Sequence, residues 1–193
     1  LGRFGASELA YASDLDVMFV HQGSSADDID EARRLSKSLI RMIAGSTPAA
    51  RLYDVDCDLR PEGKNGPLSR GVDSYAIYWR EHALTWERQA MTRARVVAGD
   101  AALGDELLDE IAPWVWGLGL SAEGVRDIRR MKARIEAERI PMGEDPDFHL
   151  KLGRGSLSDI EFTAQMLQLQ YDVKATGTID GLRALAQADV LDP

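Results

Sequence analysis

Ser13-Asp14-Leu15-Asp16-Val17-Met18-Phe19-Val20-His21 decides how the first half of the chain is read. Residues 14–21 are apolar and β-branched after two acids, which predicts a strand. Side chains two apart on a strand share a face, about 6.5–7 Å from each other. Asp14 and Asp16 therefore project together while Leu15 and Val17 anchor the opposite face. Two carboxylates on one face repel unless a cation stands between them, and Mg2+ is the hard cation that takes such a pair when phosphates complete its shell. Downstream, Arg51-Leu52-Tyr53-Asp54-Val55-Asp56-Cys57-Asp58-Leu59-Arg60 alternates. Tyr53, Val55, Cys57 and Leu59 face one way; Asp54, Asp56, Asp58 and Arg60 face the other. If this second strand lies beside the first, about 4.8 Å away, Asp14, Asp16 and Asp56 converge. Three such groups hold two metal ions about 3.5–4 Å apart, an arrangement that clamps the attacking and leaving oxygens of phosphoryl or nucleotidyl transfer. The plain alternative is a solvated acidic strand face, which a lone Asp-x-Asp marks more often than a metal site.

Outward from these strands, residues 1–13 are glycine-rich and turn-like. Gly23 to Ser25 reads as a turn, with Ser25 an N-cap for a helix that carries Ile29, Ala32, Leu35, Leu39 and Ile43 at helical spacing, Asp27 and Asp28 in its first turn, and Gly45 at its end. Residues 61–71 form a long loop. From Asp73 the pattern is helical: one or two helices over 74–96, another over 100–112, a long one over 122–139 capped by Ser121 with Val125, Ile128, Met131 and Ile135 on its apolar face, one over 157–172, and a short one from Thr178. Mixed α and β followed by nearly all α predicts an α+β protein of two domains, 1–100 and 101–193.

The chain has 193 residues and a formal net charge of −9. That charge excludes a protein built to hold a nucleic-acid backbone, which needs basic surface. It does not exclude a nucleotide that arrives with a divalent cation. A single cysteine, Cys57, rules out an intrachain disulfide and suits a reducing compartment, here taken as the cytoplasm. The thiol falls on the apolar face between two acids and is expected to be buried and inert. His21, His82 and His149 are scattered without metal-ligand spacing, so zinc is not expected. The four tryptophans are expected in packing. No apolar run reaches the ~20 residues that span a bilayer, and no leader pattern opens the sequence. The opening residues read as a piece of a longer polypeptide, with part of a first strand expected to be missing.

Gly2-Arg3-Phe4-Gly5-Ala6-Ser7-Glu8-Leu9-Ala10-Tyr11-Ala12-Ser13-Asp14-Leu15-Asp16 resembles the nucleotidyltransferase signature of the glutamine synthetase adenylyltransferase family (GlnE). The likeness continues through residues 53–61, through 63–68, through Thr85-Trp86-Glu87-Arg88-Gln89-Ala90-Met91-Thr92-Arg93-Ala94-Arg95 to Asp100, and through Lys151-Leu152-Gly153-Arg154-Gly155-Ser156-Leu157-Ser158-Asp159-Ile160-Glu161-Phe162. No single block is decisive; five in order are highly specific.

The resemblance implies a DNA polymerase β-like nucleotidyltransferase core followed by a helical bundle like that of PII-uridylyltransferases. It implies ATP as substrate, Mg2+ on Asp14, Asp16 and Asp56, Asp56 as general base, and a tyrosine hydroxyl of glutamine synthetase as acceptor. A PII-type signalling protein is an implied partner; a membrane and nucleic acid are not. The family's full-length enzyme has one unit that adds AMP and one that removes it by phosphorolysis. The block from Thr85 is closer to the adding unit, and Met18-Phe19-Val20 is similar to actinobacterial members. The removing unit, and an inactive regulatory module that keeps the fold, are the alternatives. Gly2, Gly5 and Ser13 are candidates to bring backbone N–H groups or a hydroxyl to the phosphates. Arg60 is read either as a phosphate ligand or as an ion pair with Asp58, and Lys64 either as a phosphate ligand or as an exposed lysine. Arg93 and Arg95, two apart on an expected helix, do not share a face, so at most one is expected at the nucleotide. Lys151, Arg154, Asp159 and Glu161 divide evenly between a site role and a structural one. Two departures stand out: Ala6 and Ser156 occupy places where the family has glycine, and a position that needs positive φ would suffer there.

Overall fold

The computed structural model describes residues 1–11 and 13–192, so Ala12 of the glycine-rich signature lies outside the described residues. The elements run α1 (Gly2–Gly5), β1 (Leu15–Asp16), β2 (Phe19–His21), α2 (Ala26–Ala44), β3 (Val55–Asp56), β4 (Ser69–Gly71), α3 (Val72–Glu81), α4 (Thr85–Met91), α5 (Ala101–Val115), α6 (Ala122–Arg139), α7 (Leu157–Tyr171) and α8 (Thr178–Gln187). The fold is helix-rich with small parallel sheets, an α+β arrangement. It divides into two compact units, one of Leu1–Ala83 with Arg93–Trp114, the other of Leu84–Thr92 with Val115–Pro193.

In the first unit the expected strand over 14–21 splits in two. β1 pairs with β3 in parallel, Leu15 beside Val55 and Asp16 beside Asp56. β2 pairs with β4 in parallel, Phe19 beside Ser69 and His21 beside Gly71. The split has a local cause. After Asp56 the second acidic strand leaves the ladder: the Asp58 N–H donates to the Asp56 carboxylate at 2.7 Å, and the Arg60 N–H closes a turn on the Cys57 carbonyl at 3.2 Å. The partner for Phe19–His21 then comes from the far side of the 61–68 loop. α2 begins as expected, with Ser25 and Asp28 capping reciprocally, and ends at Gly45 with φ of 66°. Its apolar stripe is only half covered: Ile29, Leu35 and Leu39 stay exposed, and Ser36 is its buried residue. Tyr75, Trp79, Leu107 and Ile111 are buried within this unit.

The expected helix over 74–96 is α3, a break at His82, and α4. The Glu87 carboxylate accepts from the Leu84 N–H at 2.7 Å and so fixes the start of α4. Residues 92–97 are in no helix, which corrects the helical placement of Arg93 and Arg95.

The second unit packs α4, α6, α7 and α8. Its interior is partly polar: Gln89 donates to the buried Gln165 carbonyl at 2.9 Å, and Arg88 donates to the Val115 and Gly119 carbonyls at 3.1 and 2.9 Å. On α6 Ile128 of the expected apolar four is buried, Val125, Met131 and Ile135 are half-buried, and Gly124 and Lys132 are buried as well. Lys132 pairs with Glu136 and, at 2.9 Å, with Asp159. Burial opposes charge on Asp159, yet the hydrogen bonds from Lys132 and from the Gly155 and Ser156 N–H groups outweigh it, and its carboxyl titrates below the usual range. Stability from this group is therefore present above the unfolded-state pKa and is lost as pH falls through the lower folded-state value. Lys132→Met is expected to cost about 1–2 kcal/mol, less than a fully buried pair, because Glu136 and Asp159 keep 24% and 35% exposure. Urea unfolding at pH 7 and again near pH 3 checks it: the deficit shrinks at low pH, and a variant as stable as wild type at pH 7 shows the pair to be neutral.

Candidate active site

β1 and β3 bring the acidic residues together at adjacent positions of one parallel ladder. Asp16 stands beside Asp56, with Leu15 N donating to the Asp54 carbonyl and Val17 N to the Asp56 carbonyl, both at 2.8 Å. An open cleft of about 470 Å3 next to this ladder is lined by Asp14, Asp54, Asp56 and Asp58 together with Ile40 and Leu68. Two of those acids are neutralised locally: Asp54 pairs with Arg51 at 3.0 Å, and Asp58 lies 3.6 Å from Arg60 and 3.4 Å from Lys64. Among the described residues no ion pair forms to Asp14 or Asp56.

The third expected carboxylate, Asp16, is set against α1. A Cβ on Gly2 would fall 2.0 Å from Asp16 Oδ2, and Gly2 has φ of +52°. Gly5 is buried, and a Cβ there would fall 1.9 Å from the Arg93 carbonyl oxygen. Both glycines thus serve close approach. Ser13 Oγ accepts from the Ala10 N–H at 3.3 Å, which leaves its hydroxyl proton to donate elsewhere. Ala6 is in the ordinary right-handed helical region and the left-handed position is the next residue, Ser7, at φ of 59°; Ser156 likewise has negative φ. The two departures from the family pattern therefore cost no backbone strain.

Of the two readings of Arg60, the structure places its guanidinium 3.6 Å from Asp58. It is buried, and its guanidinium donates to the carbonyls of Cys57 at 2.7 Å, Gly66 at 3.2 Å and Lys64 at 3.3 Å. These bonds tie the 57–66 loop. Lys64 is exposed at the loop surface. Cys57 is buried, and burial, aided by Asp56 and Asp58 against the opposing Arg60, pushes its thiol up to about 11, so it stays protonated and inert at neutral pH.

Two residues matter more than the sequence suggested. Arg93, buried, pairs with Glu8 at 3.2 Å. Arg95 donates to the carbonyls of Gly5 at 2.9 Å and Phe4 at 3.1 Å. The i, i+2 spacing of two arginines where the chain leaves α4 was the available signal, hidden by the helical reading. In the second unit, Asp159 is engaged by Lys132 and by the Gly155 N–H at 2.5 Å, a structural arrangement; Lys151 and Arg154 are exposed.

The donor set suits Mg2+ in chemistry, being all carboxylate oxygen. Among the described residues no three His, Cys, Asp or Glu side chains close around a single metal position. Asp14 and Asp56 lining one cleft fit the looser requirement of a cation bound by one or two carboxylates and completed by phosphate and water. A larger cleft of about 810 Å3 in the same unit is lined by His21, Arg70 and Tyr78 among others, but Arg70 there is engaged by Glu62 at 2.6 Å and His21 by Ser69 at 2.8 Å. It is also lined by Asp73 and Glu106, which are in no ion pair among the described residues, but these two stand on α3 and α5 and not on paired strands.

Residues 1–110, which contain this whole arrangement, match the family model of glutamate-ammonia ligase adenylyltransferase, and residues 129–193 match that of GlnD PII-uridylyltransferase. The chain is 45% identical to a bifunctional glutamine synthetase adenylyltransferase/adenylyl-removing enzyme of Streptomyces avermitilis and 46% identical to one of Mycobacterium avium, over 99% of its length in each case. It is 48% identical over 89% of its length to one of Mycobacterium tuberculosis. It spans about a fifth of the length of these relatives, 20% of the first two and 18% of the third. Among the described residues no helix is long and apolar enough to cross a membrane. With one family model covering more than half of its residues and close relatives aligned along almost all of them, the chain belongs to the glutamate-ammonia ligase adenylyltransferase family.

Proposed function

We propose that the chain carries an ATP- and Mg2+-dependent nucleotidyltransferase centre that moves AMP from ATP onto a tyrosine hydroxyl of glutamine synthetase, the tyrosine oxygen bonding to the α-phosphorus as pyrophosphate leaves. One observation carries this reading: Asp14 and Asp56 line a cleft with no cation against either among the described residues. Such a cleft repels a bare triphosphate and accepts one that arrives with its metal. In this reading the first unit is a DNA polymerase β-like core and the second its helical bundle domain.

Mg2+, when bound, supplies charge neutralisation for the triphosphate and acidifies the attacking hydroxyl. Asp14 and Asp56 would hold it, with Asp16 as the neighbouring third carboxylate. The Asp58 N–H fixes Asp56 Oδ1 at 2.7 Å, which leaves Oδ2 to take the proton of the attacking hydroxyl. Ser13 keeps a hydroxyl proton for a phosphate oxygen, and Lys64, exposed and 3.4 Å from Asp58 of the cleft, is a candidate cation for it. Gly2 and Gly5 shape the turn beside Asp16. The rest is positioning of two anions that would otherwise repel. The relatives' names also carry adenylyl removal, which uses the same parts with phosphate as acceptor. The match of residues 129–193 supports a PII-type signalling protein as partner of the helical unit, and the proposed place of action is the cytoplasm.

Incubating the intact protein and unmodified glutamine synthetase with α-labelled ATP and Mg2+ tests the reading. Label is expected on a synthetase tyrosine, and Asp14→Asn is expected to raise the Mg2+ concentration that transfer requires. Transfer with an unchanged Mg2+ requirement in Asp14→Asn removes this cleft as the transferring centre. If Asp14→Asn instead disturbs phosphate-dependent release of AMP, the unit runs in the removing direction. If it disturbs neither activity, the fold is a regulatory module.

A further inference from the structure

We propose that Arg95 is a positioning residue for the acidic site, acting on Asp16 through α1; this rests on the reading of Asp16 as a metal carboxylate. α1 has four residues, far below the ~12–15 that a helix needs to persist on its own, so its place is set by what holds it. Its first residue, Gly2, presents bare backbone to Asp16 Oδ2, so close that a Cβ would sit 2.0 Å away. The Leu1 nitrogen donates to the Asp16 carbonyl at 2.8 Å. Its last residue, Gly5, lies on the Arg93 carbonyl, and the Gly5 and Phe4 carbonyls both accept from Arg95. α1 is therefore a wedge with Asp16 at one end and Arg95 at the other. A guanidinium on two terminal carbonyls is a charge-assisted clamp. Loosening it lets the wedge move and releases the face against which the Asp16 carboxylate is set. Arg93 and Glu8 hold the same turn from the buried side, whereas Arg95 is itself exposed, so its removal leaves the buried packing in place.

The experiment is a Mn2+ titration of the intact protein without nucleotide, read by loss of the free-ion paramagnetic resonance signal, with thermal unfolding alongside. Arg95→Ala is expected to weaken Mn2+ binding about tenfold, as loss of groups that orient metal ligands does, with an unfolding temperature near wild type. Arg95→Lys, which keeps one donor, is expected to fall between. Unchanged Mn2+ affinity in Arg95→Ala with a raised KM for ATP overturns the proposal and makes Arg95 a nucleotide contact. Unchanged Mn2+ affinity with a lowered unfolding temperature overturns it in favour of a purely structural role. Asp16→Asn separates the two levels: if it too leaves Mn2+ affinity unchanged, the metal reading of Asp16 has failed; if it weakens binding and Arg95→Ala does not, only the positioning has failed.

Discussion

Asp56→Asn is expected to slow AMP transfer by about 10²–10⁴-fold, the range for losing a positioned general base, while the fold stays intact. The reason lies in one hydrogen bond. The Asp58 N–H donates to Asp56 Oδ1 at 2.7 Å. An asparagine at this position must offer its carbonyl oxygen to that N–H, since two donors cannot face each other. Its amide NH2 then takes the place of Oδ2. Where the wild-type cleft has an anionic acceptor, the variant has a neutral donor. Basicity, metal ligation and charge are lost in one isosteric change, while the β3 ladder bond and the turn into the 57–66 loop are kept. The side-chain volume is the same, so Leu15 and Cys57, buried on either side, are undisturbed. The check is the initial rate of labelled AMP appearing on glutamine synthetase, with circular dichroism to show that the fold survives. A variant within a few-fold of wild type removes Asp56 from the chemistry.

The parts of this site that the sequence made legible are those governed by local rules. Period-2 alternation placed Asp56 opposite Cys57, and the thiol is buried as that alternation requires. Ser25 with Asp28 announced the start of α2. What stayed hidden depends on distant segments. The run from Asp14 to His21 looks like one strand because its residues all favour extended backbone, yet which part pairs with what is settled by residues 55–56 and 69–71. Arg60 read equally as a phosphate ligand or as an ion pair with Asp58 because its position at the end of an acidic strand is visible, while the three carbonyls that accept from it belong to a loop whose path is not. Arg93 and Arg95 were misplaced because good helix formers continue past Met91, and nothing local says that the chain turns there to meet Gly5. Lys132 follows the same logic: a lysine on a charge-rich helix reads as solvated until Glu136 and Asp159 are brought to it.

Gly5→Ala is expected to destabilise the first unit more than Gly2→Ala, although the two added methyl groups meet atoms at almost equal distances. At Gly5 the obstacle is the Arg93 carbonyl oxygen, 1.9 Å from the new Cβ. That oxygen is main chain, and its residue, the buried Arg93, is held by the ion pair to Glu8. Neither side can yield without moving α1 or the 93–95 segment, so the clash falls at the upper end of the 1–3 kcal/mol typical of overpacking, about 3 kcal/mol. Alanine's better helix propensity returns less than about 1 kcal/mol of that. At Gly2 the obstacle is the Asp16 carboxylate, 2.0 Å away. A side chain can rotate aside, which leaves chiefly the strain of φ at +52°, about 1–2 kcal/mol for a residue with a Cβ. The rotation that spares stability, however, moves a carboxylate assigned to the metal. The two substitutions should therefore separate: Gly5→Ala lowers the unfolding temperature by several degrees, at about 2–4 °C per kcal/mol for a chain of this size, whereas Gly2→Ala unfolds nearer to wild type but binds Mn2+ more weakly. Calorimetry and the metal titration on the same pair decide it. A Gly5→Ala protein as stable as wild type means that α1 is free to slide, and a turn that slides cannot hold Asp16.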